Sequence, residues 1–206
     1  MRQGGRFLLC VVAAWLPTGA NAQACKVHIW PTTRFNATTS SIFLRAPVGG
    51  THEAPTAKDN LTEIMSPERQ AEVYRSLDWG GLLASKNPVE IVIEPAMDAI
   101  ALKVKQKGPR LVRAESDCHY EVIIQGIAYG EDPLWGKGLS TWLILRKYEG
   151  ASETAQATGF IGGSQGVKQS LNKTAVSIEE AYSVMREALV TVLTERVPVI
   201  GRKKFG

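Results

Sequence analysis

At 206 residues, with 21% of them charged and a formal net charge of +4, the chain has the length of one domain and is too weakly basic for a nucleic-acid surface. Its basic cluster, Arg202-Lys203-Lys204 near the C-terminal end, reads as a solvated tail. Beyond the N-terminus no stretch is long and apolar enough to cross a bilayer as a helix.

Residues 1–22 have the order of a cleavable export signal. Arg2 and Arg6 charge the start and an apolar run follows over residues 7–16, too short to span the ~30 Å hydrocarbon core as a helix. Pro17 and Gly19 break that run, and Ala20-Asn21-Ala22 supplies a small-x-small cleavage pattern. Cleavage near Ala22 predicts a mature chain over residues 23–206, periplasmic or secreted. A lipidated Cys25, giving peripheral membrane association, is the alternative. Against it, position 22, three before that cysteine, holds Ala where a lipoprotein signal usually has Leu.

Cleavage also sets the cysteine arithmetic. Cys10 leaves with the signal, so Cys25 and Cys118 remain, and a pair in an oxidising compartment is most simply one disulfide. It would close a loop of roughly ninety residues, for which chain entropy allows up to about 4–5 kcal/mol. A nucleophilic thiol is the sharper alternative and needs a lowered pKa. His119 cannot easily supply it, because adjacent strand residues point to opposite faces.

The first predicted element is a strand at Cys25-Lys26-Val27-His28-Ile29-Trp30, ended by Pro31. Residues 46–59 carry Pro47, Gly49, Gly50 and Pro55 and read as a loop. Ser66-Pro67-Glu68 starts a helix, with Val73, Tyr74 and Leu77 on its apolar side. Gly80-Gly81 is expected to stop or kink it. A β-branched strand follows over 89–94, between Pro88 and Pro95. Residues 99–107, alternating late in the run, suit an edge strand guarded by lysines.

The run 119–129 is the most strand-like in the chain. Cys118, Tyr120, Val122 and Ile124 would share one face, with His119, Glu121, Ile123, Gln125 and Ile127 on the other. A strand over 139–148 turns at Glu149-Gly150, and 154–161 returns as its hairpin partner. Residues 159–174, rich in Gly, Ser, Gln and Asn, read as a second exposed loop. Ser177-Ile178-Glu179-Glu180 is a capping box. The helix it opens carries Ile178, Tyr182, Met185, Leu189 and Val192 on one stripe and is predicted to end before Pro198.

These elements predict an α+β fold over residues 23–206: a mixed, largely antiparallel sheet with helices packed on one face. The cysteines fit it, since Cys25, Val27 and Ile29 would share the apolar face of one strand, and Cys118, Tyr120 and Val122 that of another. Val27-His28-Ile29-Trp30-Pro31, the paired strands and the C-terminal helix together resemble, in element order, small exported accessory domains of the bacterial envelope. That group includes the N-terminal domain of TolB, penicillin-binding-protein activators and CsgG-like domains. The resemblance covers about two-thirds of the mature chain. It implies a binding or assembly role in the periplasm and transfers no functional residue.

Chemistry is sparse by comparison. Asp117, His119 and Glu121 share a strand face, with His28 on the corresponding face of the first strand; such a set can bind a divalent metal or perform acid–base work. The alternative is the solvated face of a one-sided sheet. Gly159 to Gly166 and Gly136-Lys137-Gly138 lack the helix start and the spacing of phosphate loops, and no cofactor is expected. No His-Glu-x-x-His helix is present. Trp135, in a Gly/Pro connection, and Tyr129 just before it are candidate contacts for an envelope protein or glycan; the alternative is that Trp135 folds back to plug the end of the core. The expected function is therefore an exported, non-enzymatic binding or envelope-assembly accessory. A secreted hydrolase or metal-binding enzyme with dispersed groups is the alternative.

Overall fold

The computed structural model describes residues 24–39, 63–113, 117–132, 136–168 and 177–205. In chain order these form β1 (Cys25–Trp30), β2 (Phe35–Thr39), α1 (Pro67–Arg75), α2 (Trp79–Leu83), β3 (Val89–Ile93), β4 (Cys118–Asp132), β5 (Gly136–Glu149), β6 (Ala157–Gly166) and α3 (Ile178–Lys204). The export signal over 1–22 and the loop over 46–59 lie outside the described residues.

One mixed sheet runs in the order β3-β1-β4-β5-β6. Its two antiparallel ladders, β4–β5 and β5–β6, are the long ones. Parallel pairing joins β1 to β3 and to the first half of β4, while β2 continues along the second half of β4. Pro31 ends β1 as expected, but the chain resumes as β2 after a short jog. Gln70, buried on α1, holds that jog by accepting from Thr32 N at 3.0 Å and donating to Thr32 O at 2.9 Å. The helices pack on one face of the sheet, over a core that includes Val27, Ile29, Tyr120, Val122, Leu143 and Leu145.

Local chemistry explains the helix starts. Ser66 Oγ accepts from Arg69 N, with Pro67 in the first turn of α1. Ser177 Oγ accepts from Glu180 N at 3.2 Å to open α3. The break before Leu82-Leu83 falls earlier than predicted: α1 ends at Arg75, and Asp78 caps a new short helix that contains Gly80 and Gly81. A Cβ at Gly81 would lie 2.5 Å from Asp78 Oδ2, so a larger residue there would require the Asp78 carboxylate to turn.

Three expectations are corrected. α3 does not stop before Pro198 but runs on to Lys204. An interior proline costs about 3 kcal/mol, and the burial of Val197, Gly201 and Phe205 offsets it. Gly201 lies so close to α2 that a Cβ would stand 2.5 Å from Leu82 O. Residues 99–107 form turns and no strand. Asp98 Oδ1 accepts from Ile100 N and Ala101 N at 3.2 and 2.9 Å, a local bond set that competes with a sheet ladder. Residues 159–166, read as loop, belong to β6. Their glycines let α3 lie close: a Cβ at Gly159 would meet Ile200 Cγ2 at 2.5 Å, and one at Gly163 would meet Val192 Cγ1 at 2.8 Å.

The disulfide joins Cys25 to Cys118 across β1 and β4, within the apolar layer. Its sulfurs are committed to each other. The nucleophilic-thiol reading and the lipid on Cys25, with its peripheral membrane attachment, therefore fall away together.

Candidate functional site

The strand registers align a row of side chains on the face away from the helices. Val92, His28, Glu121, Arg146 and Thr158 stand side by side across β3, β1, β4, β5 and β6. In the next row His119 stands between Lys26 and Tyr148. Strand alternation predicted this grouping of His28, His119 and Glu121 but placed it in solvent. The structure buries it: Glu121 and Arg146 are 0% exposed and His119 is 1% exposed. The cover is the segment 94–113. Its Ala99, Met97, Val104 and Val112 pack on Trp30, Ile123 and Ile144, leaving the charged rows underneath the remainder.

The polar contacts of the cluster centre on Glu121. Glu121 Oε1 accepts from Leu111 N at 2.6 Å, and Oε2 accepts from the Tyr148 hydroxyl at 3.4 Å. Arg146 Nε stands 3.4 Å from the same carboxylate, and Arg146 Nη1 donates to Pro109 O at 2.7 Å. Tyr148 Oη also accepts from Arg146 Nη1 at 3.2 Å. Burial pushes the Tyr148 hydroxyl pKa up, the Glu121 charge pushes it further, and Arg146 opposes both. The phenol therefore stays neutral and keeps its proton for Glu121. Arg110 lies over the Tyr148 ring, 4.8 Å from its centroid, and donates to Gly150 O at 3.1 Å.

The histidines sit at the β1 side of this cluster. His28 Nδ1 meets Glu94 Oε1 at 2.5 Å, and the two imidazole centroids are 4.7 Å apart. His119 Nε2 stands 3.6 Å from Glu121 Oε1, beyond hydrogen-bond reach. His28 Nε2 and both ring nitrogens of His119 have no hydrogen-bond partner.

This arrangement gathers three of the four predicted metal candidates and separates the fourth. Asp117 is exposed just ahead of β4, beside a cleft of about 780 Å³ next to the disulfide. Among the described residues, no three His, Cys, Asp or Glu side chains are arranged to hold a metal ion. Arg146, which sequence reading missed, occupies the carboxylate that such an ion would need. Glu94, Arg110 and Tyr148 were missed as well. An available signal was the β4–β5 hairpin, in which Glu121 and Arg146 have opposite charge at directly facing positions.

The aromatic candidates fare differently from one another. Tyr129 belongs to the core, with its hydroxyl on Glu131. The cause is an irregularity in β4 between Ile124 and Gly126. One extra residue reverses the alternation, so Ile127 and Tyr129 turn to the helix side instead of joining Glu121. Trp135 lies outside the described residues. A different aromatic surface emerges at Trp142 and Phe160, which are 39% and 49% exposed. Both rings converge over Gly162, where a Cβ would lie 3.2 Å from Trp142 Cδ1 and 3.9 Å from Phe160 Cε1.

No family model matches the chain, and no curated protein matches it. Three solved structures are similar in outline. Protein XCC0632 from Xanthomonas campestris, assigned to the family model DUF330, is 11% identical over 91% of this chain and 87% of its own, with a TM-score of 0.42. The hypothetical protein CT253 from Chlamydia trachomatis is 12% identical over 87% of this chain and 96% of its own, also at 0.42. The PelC dodecamer from Paraburkholderia phytofirmans is 15% identical over 82% of this chain and 86% of its own, at 0.22. No residue role is carried from them to this chain.

Proposed function

We propose that the protein is an exported, non-enzymatic accessory that works by binding an envelope protein or glycan. The observation that carries this reading is the contrast between a sealed polar cluster and an open aromatic surface. Glu121, Arg146 and Tyr148 bond to one another and to Leu111 and Pro109, buried beneath residues 94–113. Trp142 and Phe160, by contrast, are partly exposed beside Gly162. Exposed aromatics of this kind are preferred anchors for a partner. Export is supported by the disulfide, a bond favoured in oxidising compartments, and by the signal-like order of residues 1–22.

The test is affinity capture from envelope extract with the oxidised chain, and with Trp142→Ala and Phe160→Ala variants. The reading expects a specific partner that either substitution releases. Equal recovery with both variants, or no specific partner, overturns it. Intact mass of the exported protein should place the mature start at Gln23.

A second reading, a metal-dependent enzyme using His28 and His119, draws on their unpartnered ring nitrogens. Metal content of the purified protein, compared with His119→Ala, decides it. Metal-free wild-type protein removes the idea.

A further inference from the structure

The sheet has two very different edges. β3 is five residues long, carries exposed Glu90, and is bracketed by Pro88 and Pro95. Such features stop another chain from pairing with an edge. β6 is ten residues long, with the sequence Ala-Thr-Gly-Phe-Ile-Gly-Gly-Ser-Gln-Gly. It has neither charge nor proline, and its ladder with β5 runs without a register shift. Among the described residues nothing pairs with its outer side. Its free N–H and C=O groups form a template for a further strand.

The order of residues in β6 indicates which strand fits. Around Ile161 the sequence is partly symmetric: Gly163 mirrors Gly159 and Ser164 answers Thr158, while Phe160 falls opposite Gly162. Two copies related by a two-fold axis through Ile161 would pair these residues antiparallel, with facing side chains on the same side. On the outer face Phe160 would then lie over Gly162 of the partner subunit, the relation that Trp142 already has to Gly162 in its own chain. Thr158 would face the partner's Ser164, a favourable hydroxyl pair. On the helix face glycine meets glycine and isoleucine meets isoleucine, and no charge meets a like charge anywhere in the ladder.

The helix layer agrees. Val199 is 54% exposed. It follows Arg196 by three positions and Val192 by seven, the two residues that a Cβ at Gly163 would meet. It therefore lies on the α3 flank above β6, where a second copy would cover it.

We infer that β6 is the contact strand of a symmetric dimer, in which two copies pair antiparallel about Ile161 into one continuous sheet. The inference rests on the reading of this side of the sheet as a binding surface, and commits that surface to a second copy of the chain. The experiment is sedimentation velocity on the oxidised full chain over a wide concentration range, with circular dichroism to verify folding of each variant. Wild type is expected to dimerise. Thr158→Lys with Ser164→Lys sets like charges opposite each other twice and should give monomer. Thr158→Lys with Ser164→Glu sets opposite charges there and should keep the dimer.

Wild type that stays monomeric throughout, or a dimer that survives the double-lysine substitution, overturns the inference. A lysine–glutamate variant as monomeric as the double-lysine one overturns the register about Ile161. Failure here remains separable from failure of the binding reading. A monomer that still captures a partner through Trp142 and Phe160 loses only the dimer, whereas a dimer that captures nothing loses only the external partner.

Discussion

Beneath the helices the sheet presents Val27, Ile29, Tyr120, Val122, Leu143 and Leu145; beneath residues 94–113 it presents His28, His119, Glu121, Arg146 and Tyr148. Both sets are buried, and what differs is the kind of cover. A helix satisfies its own backbone hydrogen bonds, so it asks only for apolar contact from the sheet. The segment 94–113 has little regular structure, and its buried N–H and C=O groups need partners. Glu121 accepts Leu111 N–H and Arg146 donates to Pro109 C=O. A sheet face under an irregular cover thus buries its charges, whereas the helix-side pair Lys147 and Glu149 stays partly exposed.

The largest expected effect breaks that arrangement at its centre. Glu121→Ala leaves the Arg146 guanidinium buried without its carboxylate and Leu111 N–H without an acceptor. The loss should be about 3–5 kcal/mol in urea unfolding. Amide exchange should show the 94–113 segment released first. Replacing Glu121 and Arg146 together by Leu and Met sharpens the point. Exchanging a buried pair for apolar residues is often neutral, but here it should remain destabilising, because Leu111 N and Pro109 O stay unanswered. A neutral double variant would refute the backbone-partner account.

On the helix face the corresponding breaks are covalent and steric. Cys25→Ala with Cys118→Ala should cost about 2–4 kcal/mol, read as a lower urea midpoint for the whole fold with no selective release of 94–113. A smaller loss, about 1–3 kcal/mol, is expected for Gly163→Ala, which overpacks the contact with α3. The added Cβ would lie 2.8 Å from Val192 Cγ1 and 2.9 Å from Arg196 Cγ. Thermal unfolding should show the deficit, and Gly162→Ala, on the opposite face, should not change the α3 contact.

Much of the helix face was legible in the sequence, because period-2 and period-3.6 patterns report directly which residues share a side. The caps at Ser66 and Ser177, the strand at Val89 and the partnership of Cys25 with Cys118 follow from such local rules. Alternation also grouped His28, His119 and Glu121 correctly. It could not say that the face is dry, since the cover has no period of its own and its turns are set by Asp98. Tyr129 was misplaced for a related reason: a single irregular residue in β4 reverses every later assignment, and no residue type announces it. The first part of β6 was legible as the hairpin partner of β5, whereas its later residues stayed hidden because their glycines, which read as loop, are there to admit α3. Pro198 misled because tertiary burial outweighs a local helix breaker.

The smallest expected effect separates the two faces by titration. Tyr74 and Tyr120 under the helices, and Tyr148 under 94–113, all have hydroxyl pKa values raised by burial. A tyrosine in the unfolded chain ionises near pH 10. The folded protein holds these protons to higher pH, so their contribution is full below about pH 10 and is lost as pH rises beyond it. Alkaline unfolding curves should slope accordingly. Tyr148→Phe at neutral pH removes the hydroxyl that bridges Arg146 Nη1 and Glu121 Oε2 and should cost about 1 kcal/mol. In exchange its stability should fall less steeply above pH 10 than that of wild type. Tyr74→Phe should flatten the same slope without loosening 94–113, because its hydroxyl donates to Gln70 on α1. If both substitutions instead release 94–113 equally in amide exchange, the two faces are not independent, and the charged rows stabilise the whole fold rather than their own cover.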